Sequence, residues 1–171
     1  HFLRLLNNKT KAIVVVHHAG QAEDIDFFLK LKKKYKFKII EDASHSLGAK
    51  NSNEPVGSCK WSDITVFSFH PVKMITTLEG GAALTKDHLT FKKLRLFSNH
   101  GITKDKRFFK RKNVGPWYYE QQKLGLNYRM SAVSAALGIS QLKKLKKFFK
   151  KRNFISSLYQ KNLSKEFIEL P

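Results

Sequence analysis

Lys73 lies in the stretch Ser68-Phe69-His70-Pro71-Val72-Lys73-Met74-Ile75-Thr76-Thr77, and of the 27 lysines it is the one set among apolar rather than basic neighbours. Such surroundings lower an amine's pKa toward its neutral, nucleophilic form, which a Schiff-base lysine requires. Read alone, the same residue is as well described as a lysine snorkelling out of an apolar loop. Asp42 stands in Glu41-Asp42-Ala43-Ser44-His45-Ser46, directly after a run that reads as a strand. Ligands of open α/β sheets sit beyond the carboxyl ends of strands, so a carboxylate there is placed for binding. An acid in that position is also a common turn former or helix cap. His45, taken alone, reads as a packed or surface histidine. No G-x-x-x-x-G-K-[ST], G-x-G-x-x-G or G-x-S-x-G motif occurs, and no H-E-x-x-H or H-x-x-x-H grouping appears among the seven histidines, so no metal site is expected.

Residues this far apart need a scaffold to meet. Ala12 to Val16 (AIVVV) is a β-branched run without alternation, as in a strand buried on both faces of a parallel sheet. From Glu23 onward Ile25, Phe28, Leu29 and Leu31 recur at helical spacing against lysines, and Phe37 to Glu41 and Ile64 to Phe67 read as further strands. Strand, helix, strand within about 30 residues is a βαβ unit, which makes the sheet at least partly parallel. Ala82 to Thr85 is another short strand, and Thr85 or Asp87 caps a helix carrying Phe91, Leu94 and Leu96. Ser98 to Gly125 has no periodicity and reads as a long functional or mobile loop. A last helix runs from about Ser131 past Leu145, with Leu137, Leu142, Leu145 and Phe148 or Phe149 on one side and lysines on the other.

The 171 residues allow one ordinary domain, and 42% hydrophobic residues suffice for a core. The formal charge of +20 is the footprint of a nucleic-acid binder, yet only six of the 33 basic residues are arginine, and the lysines are dispersed as solvent-facing charge. A nucleic-acid partner is therefore the weaker reading, with residues 104–112 and 143–152 as its candidate surface. The longest clean apolar run is far short of the roughly 18 residues that cross a bilayer, so no membrane partner is expected. Cys59 is the only cysteine, which rules out an internal disulfide and a Cys-based metal cluster and fits a reducing cytoplasm. A chain opening at His1 and closing at Pro171, just after a structured-looking segment, reads as a piece of a longer protein.

Several motifs follow one another in order. They are Glu41 to Ala49 (EDASHSLGA), Pro55 to Ser58 (PVGS), Ser62 to Lys73 (SDITVFSFHPVK), Glu79-Gly80-Gly81, Leu126 to Ser131 (LNYRMS) and Ala135 to Gly138 (AALG). Together they resemble the DegT/DnrJ/EryC1/StrS aminotransferases, pyridoxal-phosphate enzymes of nucleotide sugars, over about residues 11 to 150. Residues 100–103 (HGIT) and 115–122 (GPWYYEQQ) are most similar to the subgroup acting on the route to pseudaminic acid.

The resemblance implies part of the large domain of a fold-type I PLP-dependent transferase, an α/β fold with a mostly parallel sheet and flanking helices. Over residues 1–171 it would be incomplete, lacking the N-terminal segment and the C-terminal small domain. It implies that Lys73 binds the cofactor aldehyde and that Asp42 pairs with the pyridine nitrogen of pyridoxal 5'-phosphate. His45 would pack on the ring and Ser68 would bind the phosphate. Asn127 would reach the phosphate of a neighbouring subunit's cofactor, making the active form a homodimer. The implied reaction transfers the amino group of L-glutamate to C4 of a UDP-linked 4-keto-6-deoxy-N-acetylhexosamine. Leu78, where the family usually has a small residue, and Ala132-Val133-Ser134, where it has more polar ones, depart from the pattern. A nonfunctional remnant of such an enzyme is the remaining alternative.

Overall fold

The computed structural model describes residues 2–163. In chain order the elements are α1 (Phe2–Leu5), β1 (Ala12–Val16), α2 (Ile25–Tyr35), β2 (Lys38–Asp42), β3 (Lys50–Asn51), β4 (Glu54–Pro55), β5 (Ile64–Ser68), β6 (Gly81–Leu84), α3 (His88–Phe97), β7 (Ile102–Thr103), β8 (Glu120–Gln121) and α4 (Ala132–Asn162). Capping residues set the helix starts. Asp24 accepts from the Asp26 N–H at 3.0 Å, Asp87 from Thr90 at 2.7 Å and Ser131 from Ser134 at 3.1 Å, each satisfying a donor that the first turn leaves unpaired. Helix α2 closes on Lys36 in the left-handed conformation, with Lys32, Lys33 and Lys34 in its last turn.

The main sheet has the order β1-β2-β5-β6. β1, β2 and β5 run parallel, and β6 returns antiparallel to β5. Register aligns Val15 with Glu41 and Glu41 with Thr65, and, one residue on, Val16 with Asp42 and Asp42 with Val66. The first row faces the core. There Ile13, Val15, Ile25, Phe37 and Ile39 form one cluster, joined by Phe28, Leu29 and Trp61, while Ala43, Val56 and Phe67 form another with Leu47, Phe69 and Leu84. At the amino ends of the strands Asp63 ties three elements together, accepting from Lys32 Nζ at 2.6 Å, Lys38 Nζ at 2.9 Å and the Ile39 N–H at 2.9 Å.

β1 does not have the burial on both faces that its unbroken apolar run predicts. Its residues alternate exposed and buried, with Val14 at 60% and Val16 at 47% exposure, and Val66 on the same face of the sheet at 37%. The β-branched run is intact, but among the described residues nothing covers its second face. Leu142, expected on the packed side of α4, is half exposed for the same reason. The aperiodic segment 98–125 contains a two-stranded pairing, Ile102 with Gln121 and Thr103 with Glu120. Too short to show periodicity, it closes through non-local bonds such as the Gln122 N–H to the Gly101 carbonyl at 2.7 Å.

Candidate active site

Parallel pairing of β2 with β5 puts the two candidate stretches side by side at the carboxyl ends of adjacent strands. Asp42 is the last residue of β2 and half buried. Its Oδ1 accepts from the Ser44 hydroxyl at 2.6 Å and the Ser44 N–H at 3.1 Å, an Asx turn that fixes the carboxylate. The Ser44 hydroxyl, then the Ser44 N–H and the positive charges of His45 and Lys73, hold the Asp42 carboxyl below the usual carboxylate range against the opposing effect of partial burial. Asp42 Oδ2 accepts no hydrogen bond among the described residues.

Beneath Asp42 lies a buried polar chain. The Glu23 N–H donates to His17 Nδ1 at 3.0 Å, so the proton of this ring is on Nε2, which donates to Glu41 Oε2 at 2.8 Å. The Thr65 hydroxyl donates to Glu41 Oε1 at 3.0 Å, and Ser62 is 3.1 Å from Thr65. Burial pushes the Glu41 carboxyl up, but the hydrogen bonds from His17, the Ser62 and Thr65 hydroxyls bring it net below its ordinary value. The network pins the end of β1, β2 and β5 to one another directly under the strand ends. His17, Ser44 and Thr65 were not singled out by sequence reasoning. Ser44 had a readable signal, a serine two residues after an acid at a strand end, whereas the His17–Glu41 pairing depends on strand order.

Lys73 is half buried in the turn after β5, its N–H donating to the His70 carbonyl at 3.0 Å. Ser68 ends β5 opposite Gly81 and is half buried, its hydroxyl oxygen accepting weakly from the His70 N–H at 3.4 Å. His45 is exposed, with its ring 6.3 Å from that of His18. Asp42, His45, Ser68 and Lys73 thus share one end of the sheet. Asn127 stands apart, exposed on the segment leading into α4, bridged to Asn99 and accepting from Arg129 Nε at 3.0 Å. The loop between Lys73 and β6 passes through Leu78, which has a positive φ of 67°. That conformation favours glycine over any residue that carries a Cβ.

Helix α4 crosses this end of the molecule and touches it at two glycines. A Cβ on Gly138 would lie 2.8 Å from Thr77 Cγ2, and one on Gly48 would collide with the Phe149 ring. From Gln141 to Tyr159, α4 lines with Lys73 and Met74 a groove of about 840 Å³. Among the described residues no helix is long and apolar enough to cross a membrane.

Comparison with known proteins agrees with this geometry. A UDP-4-amino-4,6-dideoxy-N-acetyl-β-L-altrosamine transaminase of Campylobacter jejuni is 43% identical over 164 residues, 95% of this chain and 41% of that protein. The solved structure of Helicobacter pylori PseC, an aminotransferase of pseudaminic acid biosynthesis, superposes with a TM-score of 0.82 at 37% identity, covering 93% of this chain and 40% of that one. The PLP-form of the sugar aminotransferase Spr1654 from Streptococcus pneumoniae superposes at 0.79 with 28% identity, over 94% and 43%. The chain spans about two fifths of the length of the curated relatives it matches. With residues 3–169 matching its sequence profile and these structures superposing over most of its length, the chain belongs to the DegT/DnrJ/EryC1/StrS aminotransferase family.

Proposed function

We propose that the chain is the cofactor-binding part of the large domain of a pyridoxal-phosphate-dependent nucleotide-sugar aminotransferase. The complete protein would transfer the amino group of L-glutamate to C4 of a UDP-linked 4-keto-6-deoxy-N-acetylhexosamine, as in pseudaminic acid type chemistry. The observation that carries the reading is the placement of the Asp42 carboxylate, fixed by Ser44 at the end of β2, beside β5, whose following turn carries Lys73.

The donor set fits pyridoxal 5'-phosphate. An amine for the aldehyde (Lys73), a carboxylate with one unoccupied oxygen for the pyridine N–H (Asp42) and a hydroxyl for the phosphate (Ser68) lie at one sheet end, with the His45 imidazole beside them. When bound, this cofactor supplies an electron sink for the electrons left by a broken C–H bond. Asp42 would hold the pyridine nitrogen and, as an anion, would keep a proton there. Lys73 Nζ accepts the proton leaving the α-carbon of glutamate and later delivers one to C4 of the sugar. His45 would pack against the ring and limit access of water. The exposed Asn127 carboxamide nitrogen has no hydrogen-bond partner among the described residues, which supports a role across a homodimer.

The test is covalent trapping. Incubation with pyridoxal phosphate, borohydride reduction and peptide mapping should give one dominant adduct on Lys73, absent from Lys73→Ala. Labelling scattered over the surface lysines overturns the reading, as does full transaminase turnover by Lys73→Ala in the complete protein.

A further inference from the structure

At the opposite end of β2 from Asp42, a pocket of about 800 Å³ opens between α2 and the loop leading into β5. Six lysines line it, Lys30, Lys32, Lys33, Lys36, Lys38 and Lys60, against one carboxylate, Asp26. Three of the six are already engaged, Lys32 and Lys38 by Asp63 and Lys60 by Glu54 at 2.7 Å. Lys30, Lys33 and Lys36 have no acidic partner among the described salt bridges, and their spacing of three residues sets them along one side of the end of α2. The partial negative charge of a helix C-terminus attracts cations to its last turn. It does not account for Lys38 and Lys60, which come from other segments and converge on the same concavity. Trp61 lines the pocket too, packed on the core cluster of β1, α2 and β2, with the Lys60 ammonium 5.3 Å from its ring centroid.

We propose that this pocket binds a compact oligophosphate, a chain of two or three phosphates that is free or carried on a nucleotide. Lys30, Lys33 and Lys36 supply the charge-assisted hydrogen bonds, and the paired lysines around them keep the local potential positive. Ammonium groups act on phosphate as point charges, without the planar register that a guanidinium fork imposes, so they suit an anion whose charge is spread along a short flexible chain. The volume is that of a pocket for one small ligand, about 300–1,000 Å³. A nucleic-acid strand does not fit the same lining, because it is held by stacking on free aromatic faces, and the Trp61 ring is committed to the core and to Lys60. The pocket is remote from Asp42 along the sheet, so its occupancy does not depend on the aminotransferase reading.

The experiment is calorimetric titration of the full chain with tripolyphosphate, pyrophosphate, orthophosphate and ATP at fixed ionic strength, because such contacts weaken with salt. It compares Lys30→Gln/Lys33→Gln/Lys36→Gln with the charge-matched control Lys143→Gln/Lys144→Gln/Lys146→Gln, three exposed lysines of α4 outside the pocket. Affinity should fall in the order tripolyphosphate, pyrophosphate, orthophosphate. The pocket variant should lose about tenfold or more in tripolyphosphate affinity, and the control should stay within about twofold of the parent. Acetylation with and without tripolyphosphate, followed by peptide mass mapping, should show Lys30, Lys33 and Lys36 protected and Lys143, Lys144 and Lys146 unprotected. ATP binding no more tightly than tripolyphosphate identifies a free chain as the ligand, and ATP binding more tightly identifies a nucleotide; both support the site. Circular dichroism checks that both variants fold, and Lys33→Gln alone, with a loss of about threefold, replaces the triple variant if it does not. No tripolyphosphate binding by the parent, equal affinity in the pocket variant, an equal loss in the control, protection spread over the α4 lysines, or displacement of tripolyphosphate by a single-stranded oligonucleotide each overturns the assignment.

Discussion

At the scale of the residue, the site depends on one short turn. Ser44 contributes both hydrogen bonds received by Asp42 Oδ1, so Ser44→Ala removes the hydroxyl, the larger of the influences that hold the Asp42 pKa down. NMR titration of the Asp42 carboxyl should show its midpoint rising in the variant. The sign for stability follows: a carboxyl with a lowered folded-state pKa stabilises above its unfolded value of about 3.9 and loses that contribution as pH falls through the folded value. Ser44→Ala should therefore cost stability at neutral pH and converge with the parent in acid. Glu41 presents a harsher case, because it is 5% exposed and its carboxylate is the acceptor for His17 and Thr65. Glu41→Ala strands two buried donors and should lower unfolding free energy by about 3 kcal/mol in urea titration. Glu54→Ala, which breaks only the exposed Lys60 pair, should leave the urea midpoint unchanged.

At the scale of the element, β1, α2, β2, β5 and the start of α3 were legible because period and composition are local properties: an AIVVV run, an amphipathic repeat and a cap at Asp87 each announce themselves within a few residues. Strand order is not local. That Asp42 lies across from Val66, and so near Lys73, follows from parallel β2–β5 pairing that periodicity does not specify. The passage of α4 over the site was equally hidden, since it turns on two glycines far apart in sequence, Gly48 and Gly138. Gly138→Leu forces the helix away from Thr77 and should destabilise the chain by about 1–3 kcal/mol despite leucine's better helix propensity. The lysine loop responds oppositely. Leu78 is exposed and holds a left-handed φ of 67°, so Leu78→Gly relieves backbone strain while giving up little packing. It should raise the thermal midpoint, with a gain of about 1 kcal/mol.

At the scale of the whole molecule, the sheet has one dressed face and one open one. Val14, Val16 and Val66 are exposed on the open side, with Ile40 and Asp42 of β2 between the two strands, and β1 and β6 are the edges of the sheet. An exposed patch next to an unpaired strand edge is a site of self-association. The chain alone should sediment as a concentration-dependent mixture, and Val14→Lys with Val66→Lys should return it to monomer without lowering its unfolding midpoint, because side chains already in water lose no burial. In a complete protein whose further elements pack on this face, the same two positions are covered. There the double lysine variant places two charges in a packed layer and should be strongly destabilising. A variant that is harmless or damaging in both lengths contradicts this account. Opposite results in the two would show that the open face is a surface completed by the remainder of the protein, and that the strand-end chemistry is set on a scaffold of which this chain supplies one side.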